Sequence, residues 1–88
     1  MERGVIYMKR EDKLHIIGSN LKRIRIRADV KVKTVTEELH VNHQSVYKWE
    51  KGAALPQADK LVDLMLLYRV YDIRELVKPD EPDWGMYK

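Results

Sequence analysis

The chain has 88 residues, no cysteine and a formal net charge of +3. That is one small domain by default, with a modest core and no disulfide or thiolate chemistry. No apolar run approaches the roughly 20 residues that span a bilayer, and no apolar secretory segment opens the chain. The bases are concentrated: residues 9–33 hold nine Lys or Arg against three acids, whereas residues 72–88 hold five acids against three bases. A basic half of this kind suits a polyanionic partner as well as it suits a solvated helix face.

Residues 1–15, "MERGVIYMKREDKLH", show no sustained period and read as an arm, with Val5 to Met8 a short strand or ordered stretch within it. A first helix follows. Ile17, Leu21, Ile24 and Ala28 fall at i, i+4, i+7 and i+11, which is one helical face. Lys22, Arg23 and Arg27 fall mostly off that face, Gly18 stands near the start where it costs little, and Asp29 ends the helix. A short second helix is marked by Val32, Val35 and Leu39. His40 and Val41 lead to Asn42, whose side chain suits the cap of a third helix over residues 43–51. Val41 and Val46 are spaced as a hydrophobic staple across that cap, and Gly52 is a stop. A fourth helix covers residues 58–69, with Leu61, Leu64, Met65 and Tyr68 on one face and Leu67 beside it. Asp72 caps a last short helix, with Glu75 in capping-box spacing and Leu76 and Val77 closing it. Residues 79–88, "PDEPDWGMYK", form a tail whose prolines argue against further helix. The organisation is therefore an arm at 1–15, a five-helix all-α domain at 16–78 and a tail at 79–88.

The third helix poses a question. Its apolar stripe is Val46 and Trp49, and His43, Gln44, Ser45, Tyr47 and Lys48 point elsewhere. Gln can bond adenine N6 and N7 together, and Lys can donate to guanine O6 and N7. Gln44 and Lys48 are i and i+4 and share a face. Two helices joined by a turn of three or four residues form the arrangement whose second helix enters the major groove.

The segments "IGSNLKRIR", "TVTEELHVNHQSVYKWEKGAALP" and "LVDLMLLYRVYDIRELV" resemble the Cro/C1-type, or XRE-type, helix-turn-helix regulators. The most specific piece is "VYKWEKG…LP". The resemblance spans residues 17–77 and implies a lambda-repressor-like DNA-binding domain with its helix-turn-helix at helices two and three. It implies base contacts at His43, Gln44 and Lys48; Tyr47 lies beside that face, within reach of a thymine methyl or a phosphate, and joins them as a candidate base contact. Lys22, Arg23, Lys31, Lys33, Ser45 and Lys51 become candidate phosphate contacts. It also implies an ion pair between Arg25 and Glu50 that orients the third helix. Three positions depart from the pattern. Thr36 stands where a small residue is common, and His40 where a turn glycine is usual. Val32 replaces a phosphate-holding Gln, leaving Lys31 or Lys33 to take that contact.

The resemblance implies a transcriptional regulator, most simply a cytoplasmic repressor from a bacterium or phage. It would bind double-stranded DNA as a homodimer on an inverted repeat, since one recognition helix contacts only a few base pairs. Leu76, Val77, Trp84 and Tyr87 are the candidate dimer surface. No cofactor and no metal are expected: His40 and His43 straddle a turn, and Glu37 and Glu38, being adjacent, diverge by about 100° on a helix. No catalytic signature appears. The alternative is an antitoxin-like or other protein-binding module, its aromatic tail gripping a toxin or similar partner.

Overall fold

In the computed structural model, which describes residues 9–79, all regular structure among the described residues is helical. The order is α1 Arg10–Arg27, α2 Val32–Leu39, α3 His43–Lys51, α4 Ala58–Tyr68 and α5 Arg74–Val77. Helices α2 to α5 stand where capping and apolar period place them. Asn42 caps α3 by accepting a hydrogen bond from the Ser45 N–H at 2.8 Å. The expected capping box at Asp72 does not form: the cap residue of α5 is Ile73, without a side-chain cap bond, Asp72 accepts from the Arg74 N–H at 3.0 Å in the turn before the helix, and Glu75 lies 3.9 Å from Lys78.

α1 begins at Arg10, so residues 10–15 belong to the helix and not to an arm ending at residue 15. Glu11 and Asp12 in its first turn favour the positive end of the helix dipole. Those turns bury little beyond a half-buried Leu14, so no apolar period announces them. At the other end Ala28 is exposed and closes the helix instead of extending its core face.

Four helices end in the same way, with a left-handed residue folding the chain back on the last turn. Asp29, His40 and Arg69 take φ values of 61°, 57° and 60°, and Gly52 takes 81°. After each, an N–H reaches back across the turn: Val30 to the Arg25 carbonyl at 3.1 Å, Val41 to Thr36 at 3.1 Å, Ala53 to Lys48 at 2.9 Å, and Val70 to Met65 at 2.8 Å. A non-glycine residue in this region costs about 1 kcal/mol or more, and Asp and His tolerate it better than most. His40 thus makes the tight turn between α2 and α3 where a glycine is usual. Lys60 of α4 also supports that turn, its ammonium donating to the Leu39 carbonyl at 2.9 Å. A cation there complements the negative end of α2.

The core lies where α1 to α4 meet. Leu21 and Ile24 of α1, Val35 and Leu39 of α2, Val46 and Trp49 of α3, Leu64 and Tyr68 of α4, Val70 and Leu76 are all buried. Each large apolar side chain contributes on the order of 1.5–3 kcal/mol by leaving water. Thr36 is buried too, and its hydroxyl is satisfied by donating to the Lys33 carbonyl at 2.6 Å.

α1 and α3 pack backbone to backbone. A Cβ at Gly18 would lie 2.5 Å from the Trp49 carbonyl oxygen and 2.7 Å from that of Glu50. Gly18 is therefore a contact residue in the interior of α1, not an inexpensive glycine near its start. Its missing side chain sets how closely α3 approaches.

Candidate nucleic-acid interface

α3 has two unlike sides. At about 100° per residue, Val46, Trp49 and Glu50 project on one side. His43, Tyr47 and Lys51 form a row at i, i+4 and i+8, and Gln44 and Lys48 form the adjacent row, together covering roughly 140° on the other side. Val46 and Trp49 are buried, and all five residues of the second group are exposed. The His43 and Tyr47 rings stand 6.4 Å apart and tilted by 44°. Among the described residues, none of the five side chains makes a hydrogen bond or an ion pair. The face carries two aromatic rings, an amide and two ammonium groups, all directed to solvent. Ser45 is half-buried at its flank.

Behind this face the helix is tied to α1. Arg25 Nε donates to Glu50 Oε2 at 2.7 Å, and Nη2 donates to Oε1 at 3.2 Å, a two-point pairing. The remaining Nη1 donates to the Val30 carbonyl at 3.0 Å. The two side chains are only 12% and 7% exposed. The bond to Glu50 holds the Arg25 guanidinium above its already high ordinary pKa, the nearby Glu50 charge adding to it and burial opposing it. The Arg25 guanidinium is therefore charged at any physiological pH. It fixes the last turn of α3 to the last turn of α1.

The candidate phosphate residues do not share one environment. Lys51 continues the exposed row of α3. Lys22 follows Gly18 by one turn, on the side of α1 that packs against α3. Lys31 and Lys33 flank the start of α2, whose first turn has no acid and no side-chain cap, so its N–H groups are open to an anion. Lys33 stands 4.0 Å from Glu37 in a well-exposed pair that water screens. Arg23 faces the other way. Its Nη1 donates to Asn20 Oδ1 at 2.6 Å, toward α5.

Asn20 escapes a reading by periodicity. It is fully buried, and its Nδ2 donates to the carbonyls of Leu76 at 2.7 Å and Lys78 at 2.8 Å. The signal available was a polar residue three positions after Ile17, inside the apolar stripe of α1.

The same clamp corrects the candidate dimer surface. Leu76 is 1% exposed and belongs to the core, because the single turn of α5 packs on α1 through it. Val77 and Ile73 are each 50% exposed and share the outer side of that turn. Trp84 and Tyr87 lie outside the described residues.

Among the described residues no group of three or more His, Asp or Glu side chains is arranged to hold a metal ion, and no helix is long and apolar enough to cross a membrane. No protein-family model matches the chain, and no curated protein or solved structure shows a significant match.

Proposed function

We propose that this chain is a lambda-repressor-like helix-turn-helix regulator that binds specific duplex DNA as a homodimer and represses by occupancy. The observation that carries the reading is the exposed face of α3. Five side chains suited to base edges and phosphates stand unpaired among the described residues, on a helix held from behind by Arg25 and Glu50. A solvated surface helix does not need so well-buried an orienting pair. Gln44 and Lys48 read bases, His43 and Tyr47 flank them, and Lys51, Lys22, Lys31 and Lys33 hold phosphates, with Ser45 at the rim. Two copies of α3 set one helical turn of DNA apart, about 34 Å, read an inverted repeat.

The test is selection of a preferred site from random duplexes, followed by binding of alanine variants over a salt series. Gln44→Ala and Lys48→Ala should each cost about 1–3 kcal/mol per half-site on the selected DNA and much less on random DNA. Lys51→Ala should weaken both alike and reduce the salt slope by about one unit per protomer. An unchanged ratio of selected to random affinity in the first two variants would remove α3 as the reader, and the protein-binding module would become the better account.

A further inference from the structure

The exposed faces of the two longest helices are opposite in charge. On α4, Val62 and Leu66 are 53% and 58% exposed and stand one turn apart. Asp59 and Asp63 form the adjacent row, so the four side chains share about 100° of the helix. Glu38 of α2 faces them across an open groove that Asp63, Leu66 and Leu67 also line. Lys60, the one base of α4, is turned to the Leu39 carbonyl at 2.9 Å. On α1, Ile26 is 58% exposed. Lys22 and Arg23 flank it on the helix surface and Arg27 follows Arg23 by one turn, all three exposed. Two apolar side chains thus stand among three carboxylates on one face, and one apolar side chain among three cations on the other.

Among the described residues, no carboxylate lies within ion-pair distance of Arg23 or Arg27, and no cation within that distance of Asp59, Asp63 or Glu38. Both faces are helix surface exposed in the same chain, so neither covers the other within one molecule. A polyanion suits the α1 face alone, and a cationic partner the α4 face alone. A second copy of the chain suits both, because it carries each face and the complement of each.

We propose that the α4 face of one copy docks on the α1 face of the next, with Val62 and Leu66 against Ile26, and Asp59 and Asp63 toward Arg23 and Arg27. The contact joins two different patches, so each copy keeps one of each unused and the contact repeats head to tail. It uses no residue of α5 and is separate from the homodimer proposed above. The apolar side chains supply the hold, and the charges choose the face, since exposed ion pairs hold weakly and are screened by salt. One apolar side chain against two falls short of a stable interface, which buries about 1,000 Å² or more. The contact is therefore weak between free copies. Copies on neighbouring DNA sites, as the regulator reading has them, meet at a high effective concentration, where a weak contact suffices.

Amide chemical shifts of the isotope-labelled full chain, without DNA, test the docking over a series of protein concentrations at low salt. Signals around Ile26 and around Leu66 should move together as concentration rises and return when salt is added. Both residues are exposed, so Ile26→Glu and Leu66→Lys spare the core, and each variant alone should lose these shifts. An equimolar mixture of the two should regain them, around Leu66 in the first variant and around Ile26 in the second, because each supplies the face the other lacks. No movement at either face of the native chain, movement at only one, or a mixture that behaves like its separate components would each overturn the proposal. Head-to-tail contact in a chain that binds no DNA would sustain the docking and count against the regulator reading alone. DNA binding by a chain without the contact would do the reverse.

Discussion

Tyr68 brings a hydroxyl into the region behind the α3 face, near Glu50 and Arg25, at only 4% exposure. Burial pushes its phenol well above the usual value near 10, the Glu50 carboxylate adds to the rise, and Arg25 opposes it. The fold thus favours the neutral phenol. A group whose folded pKa is raised contributes fully below its unfolded value and loses that contribution as pH climbs above it. Stability should be insensitive to Tyr68 up to about pH 10 and then fall by up to about 1.4 kcal/mol per pH unit for this one proton. Tyr68→Phe should make the alkaline decline shallower. Urea midpoints of both proteins from about pH 8 to about pH 11 measure it; parallel declines would show that Tyr68 ionises without cost.

At the scale of the element, what matters is how α3 is held. Its N-terminus is capped by Asn42, a local device readable from sequence. Its C-terminus is set by two features from α1: the glycine that admits close approach and the arginine that grips Glu50. A side chain at position 18 must displace backbone, and overpacking of this kind typically costs about 1–3 kcal/mol. The ion pair contributes differently. Its Coulomb gain is offset by the water that both groups lose, so its net worth to stability is small, but it fixes direction. Arg25→Ala and Glu50→Ala should each weaken DNA binding while the protein stays folded. A double-mutant cycle on DNA affinity should give a coupling of about 0.5–3 kcal/mol. Zero coupling within error would mean that α3 is oriented by packing alone.

At the scale of the whole molecule, the proposed homodimer needs a surface. With Leu76 in the core, Ile73 and Val77 are what α5 leaves at the surface. They lie on the outer side of a turn clamped to α1 by Asn20, which gives them a rigid base. The full chain should therefore dimerise through this turn, and a variant with Ile73→Asp and Val77→Asp should be monomeric while keeping its helical circular dichroism. Both positions are half exposed, so the substitutions spare the core. Sedimentation across a concentration series decides it: a double variant that dimerises as tightly as the native chain would place the interface elsewhere.

The sequence by itself determined whatever depends on neighbours within a few residues. The extent of α3, the cap at Asn42 and the stop at Gly52 are local choices of backbone and side chain, and the structure has each of them, whereas the left-handed turn at His40 was legible through the resemblance. The residues of the α3 face were legible for the same reason, since one helix of known register divides its own residues into inside and outside. The pairing of Arg25 with Glu50 spans 25 residues and was legible only through a resemblance of pattern, not through any local rule. The tertiary structure alone decided the roles of Asn20, Gly18, Lys60 and Leu76. Asn20 finds its partners 56 and 58 residues away, and Lys60 finds its carbonyl 21 residues away. Local pattern can mark a buried amide in an apolar stripe, but not the carbonyl that satisfies it. That partner exists only once hydrophobic burial has brought α5 back onto α1, because an unpaired polar group in that core would cost more than the packing around it allows.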